Sequence, residues 1–241
     1  KNPQIVNGCQ TSHVLFFAYK SGLDVSKVPL NIKIISTDNL EVSNQIVRGT
    51  NRQNIVMDEA FEATKKFHKD LEDFVAAMPL GHSRIYYERR SKQFSHNPTI
   101  KQTDKFNLRI LIQSFVGMFL DKPHEAHAHE SRLLSEYTNK IFLEHQSKLP
   151  YYVSVLTFLL LEDMFRSELL NKKELYAFRI HLMAAFRESI AGKCPNINDE
   201  RAIDEHSKLV LNFLQSKEKY QKRFLNISDV FRITKDKWVY D

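Results

Sequence analysis

Three short polar clusters within residues 4–90 carry side chains able to do chemistry, and each cluster suits an anion. The first is Asn7-Gly8-Cys9-Gln10-Thr11. A strand that passes through a glycine into a helix points backbone N–H groups outward at the helix start, where a phosphate is well received. Gly8 permits a positive φ or a close ligand approach, while Asn7, Gln10 and Thr11 add hydrogen-bonding side chains. The same residues also make a plain strand-to-helix turn in which Asn7 caps the helix. No P-loop lysine follows, so this is not a Walker site. The second cluster, Gly49-Thr50-Asn51-Arg52-Gln53-Asn54, surrounds an arginine with amides. The planar fork of Arg52 suits phosphate, with Asn51 and Gln53 beside it, although such a stretch also serves as a solvated loop. The third is Tyr86-Tyr87-Glu88-Arg89-Arg90. On a strand, alternation sends Tyr87 and Arg89 to one face and Tyr86, Glu88 and Arg90 to the other. Aromatics among arginines stack bases or grip phosphates; the plainer reading is a strand edge with an ion pair.

Two further patterns invite catalytic readings and do not sustain them. His124 and His127 are spaced to share a helix face, with His129 off it, but the run "PHEAHAHE" matches no metal signature. A solvated helix start after Pro123 is the expectation. QSK occurs at Gln146–Lys148 and Gln215–Lys217, in polar or helical contexts rather than on a strand after an acidic one. The residues specify no catalytic set, no metal ligands and no cofactor.

The elements that must position these clusters follow from periodicity. Gln4–Val6 reads as a short strand, and Val14, Leu15, Ala18 and Tyr19 as one face of a helix stopping near Gly22. "LNIKIIS", Leu30 to Ser36, alternates as a half-buried strand does. Asn39 to about Arg48 reads as a helix, Asn51 to Asn54 as a polar break, and Asp58 as the N-cap of a long helix to about Met78. Ser83 to Arg90 reads as a strand. From Thr103 onward the period becomes helical. Four stripes stand out: Leu108, Leu111, Ile112, Phe115 and Phe119; Leu156, Leu159, Leu160 and Met164; Leu175, Phe178, Leu182, Ala185 and Ile190; and Ile203, Val210, Phe213 and Leu214. Pro123, Pro150 and Pro195 punctuate them. The expected fold class is α+β, with a small mixed α/β module over 1–100 and an all-helical bundle over 101–241.

Composition narrows the class of function. Hydrophobic residues make up 42% and charged residues 27% of the 241, as in an ordinary globular protein. Six glycines and seven prolines suit long helices better than many tight turns. Lys and Arg number 35 against 29 acids, a formal charge of +6, which hints at a polyanionic partner. Cys9 and Cys194 lie far apart and outside any CxxC, as expected of free thiols in a reducing cytoplasm. The most apolar run, Val153 to Leu161, is too short to span a bilayer, so no membrane is expected. A chain that starts at Lys1 inside a strand reads as a piece of a longer protein.

"IVNGCQTSHVLF", then "IVRGTNRQNIVMDEAF", then "IYYERR" resembles the AIPR (abortive infection phage resistance) family, whose members show an NGxQT turn, a TNxQ segment and a YxER-type strand in that order. The likeness covers residues 4–90 and is less specific in "KFNLRILIQSFVGMFLDKPHEAH". It implies a phage-defence protein in the cytoplasm. The turn is also similar to the (D/N)Gx(H/Q)(R/T) turn of ParB-like and DGQHR-type domains, which helps hold a nucleotide's phosphates. That likeness implies a ParB-like module with Asn7, Gly8, Gln10, Thr11, Asn51, Arg52 and Gln53 lining one pocket for a nucleotide or nucleic acid. Gln10-Thr11 stands where ParB-like turns often carry arginine. With Tyr87, Arg89 and Arg90, these form the expected ligand-binding set. Longer AIPR-like proteins often carry an upstream region resembling restriction endonucleases, so any nuclease activity is expected outside this chain. The alternative is a scaffold for protein partners of a defence system, with no ligand of its own.

Overall fold

A computed structural model describes residues 8–37, 39, 41–42, 61–78 and 84–238. Backbone contacts divide the chain into two compact units, Lys1–Met57 and Asp58–Asp241. The strand expected at Gln4–Val6 and the polar break at Asn51–Asn54 lie outside the described residues.

In the first unit, α1 spans Cys9–Lys20 and stops where glycine lets it. Gly22, at a φ of 81°, takes the left-handed turn that closes the helix. The N–H of Leu23 donates to the carbonyl of Ala18 (3.0 Å) and that of Gly22 to Tyr19 (3.0 Å), so the last carbonyls are satisfied. The expected buried face is only partly realised. Leu15 and Ala18 are half-buried, whereas Val14 and Tyr19 are exposed. The strand expected over Leu30–Ser36 is not formed. Ile32 and Ile34 alternate correctly but stay 75% and 89% exposed, with no described strand beside them to complete a ladder. Asn39 does begin a helix, its side-chain oxygen accepting from the N–H of Glu41 (2.9 Å) and of Val42 (3.3 Å).

The second unit is built on helices around one apolar core. They are α2 (Lys66–Ala77), α3 (Leu108–Phe119), α4 (Glu130–Tyr137), α5 (Leu149–Arg166), the short α6 (Lys172–Leu175), α7 (Arg179–Ala191), α8 (Glu200–Leu214) and α9 (Lys217–Trp238). Local chemistry sets several of the starts. Asn107 caps α3 by accepting from Ile110, Asp199 caps α8 by accepting from Ala202, and Pro150 sits in the first turn of α5. Beside the helices lies one two-stranded parallel sheet, β1 (Tyr86–Tyr87) with β2 (Lys105–Phe106), in the register Tyr86 to Lys105 and Tyr87 to Phe106. The fold is therefore α+β with helix predominant.

The stripe on α3 is buried along its length, and Phe115 stacks on Tyr151 of α5 at 3.7 Å between ring centroids. α3 also crosses α7 closely. A Cβ added to Gly117 would come 2.0 Å from Cγ2 of Ile180, so only glycine lets these helices meet. The stripe drawn from Leu175 to Ile190 is not one helix face. A 3-10 turn over Tyr176–Phe178 separates α6 from α7; Leu175 and Leu182 are buried as expected, but within α7 the inward face is Ile180, Leu182, Met183 and Phe186, and Ala185 is exposed. Arg187, 1% exposed, closes this region. It donates to the carbonyls of Met118 (3.0 Å) and Gly192 (2.5 Å) and to the Asp121 carboxylate, placing a cation at the C-terminal ends of α3 and α7. Among the described residues, no helix is long and apolar enough to cross a membrane.

Candidate functional site

Gly8 stands at the N-cap of α1 with a φ of 92° and a ψ of 13°, a left-handed conformation that glycine adopts without steric cost. Among the described residues, and apart from its chain neighbours and the backbone of α1, no atom lies within 4 Å of where its Cβ would be. Glycine supplies no capping oxygen of its own, and α1 has no acidic residue in its first turn. Thr11, in that turn, is exposed. A helix start of this kind can receive an anion on its N–H groups. The side chain of Gln10, together with Asn7, Asn51, Arg52 and Gln53, lies outside the described residues.

The Tyr86–Arg90 cluster is built differently, because β1 packs against α2. Tyr87 is 2% exposed and its ring stacks on Phe106 of β2, 4.8 Å between centroids and nearly parallel. Its hydroxyl meets Nδ1 of the wholly buried His68 at 2.9 Å. Burial pushes the phenol upward, so it stays protonated and donates. Burial likewise holds His68 below the ordinary imidazole range, against the opposing pull of Glu62. A neutral His68 that accepts at Nδ1 carries its proton on Nε2, which faces Oε1 of Glu62 at 3.5 Å. Burial alone would raise Glu62; its neighbours His68 and Lys65 outweigh that and leave the carboxyl below its usual value. Glu62, His68 and Tyr87 thus form a polar cluster against the core, in which Tyr87 hydrogen-bonds His68 while Nε2 of His68 faces Glu62 beyond hydrogen-bond geometry.

Arg89 is equally committed. Its Nε donates to Glu72 at 2.8 Å and its NH1 to the carbonyl of Ala63 at 3.0 Å. That second bond explains a difference from expectation. Of the helix expected from Asp58 to Met78, Phe61 and Glu62 are helical among the described residues, turns over Ala63–Thr64 and an extended Lys65 interrupt it, and it resumes at Lys66. A continuous helix would give the Ala63 carbonyl to the N–H of Phe67; here the arginine takes it. Arg90, next along, is exposed. Its N–H donates to Gln93 (3.1 Å), whose amide in turn donates to Glu72. The sheet therefore brings Tyr87, Arg89 and Arg90 together with Glu62, His68, Glu72 and Gln93. Those four partners did not stand out in the sequence. The signal was present in the i, i+4 spacing of His68 and Glu72 on α2, beside the buried stripe Phe67, Leu71 and Val75.

The histidine run takes three separate roles. His129 caps α4, accepting from the N–H of Ser131. His124 lies 3.3 Å from Glu125, and His127 stacks on His181 with centroids 6.0 Å apart. Burial depresses both members of that stack, with Arg179 adding to the effect at His127, and His127 and His124 at His181. Among the described residues, no group of three His, Cys, Asp or Glu could hold a metal ion. Gln146 of the first QSK is 4% exposed and serves as a structural junction, donating to Lys140 and Asn198 and accepting from Tyr151.

Against known proteins, a family model described as AIPR protein matches residues 1–228. No curated protein and no solved structure matches the chain.

Proposed function

The chain belongs to the AIPR family, the abortive-infection phage-resistance proteins, and from that premise we propose that it recognises a nucleotide or nucleic acid at the turn opening α1. The observation that carries this reading is the left-handed Gly8 at the helix N-cap, with Thr11 exposed in the turn behind it. Backbone N–H groups there take phosphate oxygens, and Thr11 and Gln10 add side-chain bonds. Asn7 and the Asn51-Arg52-Gln53 segment complete the pocket, with the Arg52 fork on the phosphate, in a ParB-like arrangement. Residues 1–100 act as the recognition module in this reading. Tyr87 and Arg89 hold their strand, and Arg90 is exposed. The formal charge of +6 supports a polyanion.

A titration tests this directly. Gln10→Ala and Arg52→Ala are expected to weaken binding of nucleotide or of short DNA or RNA; unchanged binding in both variants would end the pocket idea. A second reading, a scaffold for defence-system protein partners, is favoured by one observation. Val14, Phe16, Phe17 and Tyr19 of α1 are all more than half exposed. The two readings part in a thermal-shift screen, where a scaffold gains no stability from any nucleotide.

A further inference from the structure

Residues 84–109 hold seven of the basic residues and only two acids, Glu88 and Asp104. Two of the seven are neutralised from elsewhere, Arg89 by Glu72 and Arg109 by Glu130. Among the described residues, none forms an ion pair with the others, which include Arg84, Arg90, Lys92 and Lys105. The strand register decides where they stand. Tyr87 and Phe106 stack inward, so their neighbours Tyr86 and Lys105 share the outward face. There Phe94 meets Tyr86 edge-on at 5.6 Å, and the Arg84 guanidinium lies 5.8 Å from the Tyr86 centroid.

The turn beside this face is held in place. The N–H of Arg90 donates to the Gln93 side chain, and the N–H of Gln93 donates back to the Arg90 carbonyl at 3.0 Å. Gln93 is fixed in turn on Glu72. Lys92 sits at the tip with a φ of 60°, uncommon for a residue with a side chain and kept by these bonds. Arg90 and Lys92 are thus presented by a braced turn rather than a loose loop, both exposed.

We propose that this outward face of β1–β2 is a track for single-stranded nucleic acid, with phosphates on Arg90, Lys92 and Lys105 and a base stacked on the Arg84–Tyr86–Phe94 group. It rests on the nucleic-acid reading above for its ligand class, but not on the Gly8 turn. Charge complementarity selects a polyanion. The half-buried rings offer flat faces that only an unstacked base can use, so a single strand is preferred to a duplex. The large aliphatic side chains of the segment, Ile85, Ile100 and Leu108, are buried, so nothing here inserts into a bilayer.

Fluorescence anisotropy of the whole chain with a labelled oligothymidylate of about 12 nucleotides tests the proposal. The single strand is expected to bind more tightly than a blunt duplex, and binding is expected to weaken steeply with salt. The double variant Arg90→Ala, Lys92→Ala should weaken binding about tenfold and lower the salt slope by about two. Tyr86→Leu should weaken the single strand alone, with circular dichroism confirming the fold. The proposal is overturned if these variants bind as the parent does, if no oligonucleotide binds, or if anionic phosphatidylserine vesicles retain the chain and oligothymidylate does not. If Gln10→Ala and Arg52→Ala abolish binding while the double variant does not, the Gly8 turn is the site and this face is not. The opposite pattern keeps this face and removes the turn.

Discussion

Thr11 faces solvent in the first turn of α1, beside the left-handed Gly8, whereas Tyr87 and Arg89 turn inward onto α2. The two clusters are made of similar polar residues. What separates them is the neighbour each meets. α2 and the turn before it offer the Tyr87–Arg89 segment a neutral imidazole, a carboxylate and a carbonyl, so a tyrosine and an arginine that could have gripped a ligand are spent on fixing a strand to a helix. Polar motif residues therefore divide into those left facing solvent and those that hold a strand to a helix, and residue type alone does not assign them.

Substitutions can break that contrast, and the largest effect is expected at Arg89. Arg89→Ala leaves Glu72 and the Ala63 carbonyl without their main donor in a largely buried setting, and should cost about 2–4 kcal/mol in chemical denaturation. A loss no greater than that of an ordinary surface change would mean that the arginine is not structural. Tyr87→Phe comes next, at about 1–2 kcal/mol, because Nδ1 of His68 loses its donor while the packing on Phe106 remains.

Acidification probes the His68 cluster more gently. His68 is held neutral in the folded chain, so below its ordinary value of 6.5 the unfolded chain binds more protons. Stability is then complete above that pH and falls as pH drops toward the depressed folded value. His127, His181 and His206 shift in the same direction, so the test is comparative. His68→Gln should flatten the decline in melting temperature between about pH 7 and 5; a parallel decline would place the sensitivity elsewhere. The smallest effect is expected at Thr11. Thr11→Ala should change stability by less than about 0.5 kcal/mol, since the side chain is exposed.

How much of this was legible in sequence depended on what each signal measured. The periodicity of Leu108 to Phe119 found α3, because one long apolar stripe has a single way to be buried. The family was legible too, in three ordered motifs. The stripe from Leu175 to Ile190 was legible in part: Leu175 and Leu182 are buried and Ile190 packs on the core, but a 3-10 turn of three residues divides the helix without a proline or glycine to mark it, and Ala185 is exposed. The alternation of Leu30 to Ser36 misled: a strand is completed by its partner, and alternation says nothing about whether one is present. At the candidate site, the inward turn of Arg89 depended on Ala63 and Glu72, which are 26 and 17 residues away. No local pattern carries such a contact.

The most direct test sets the two clusters against each other in one assay. Gln10→Ala and Tyr87→Phe would each be examined for melting temperature with and without a saturating nucleotide or short oligonucleotide. The account predicts that Gln10→Ala keeps the parent melting temperature and loses the ligand-induced rise, while Tyr87→Phe melts lower and keeps the rise. A Gln10→Ala chain that still gains full stability from the ligand, beside a Tyr87→Phe chain that gains none, would contradict it.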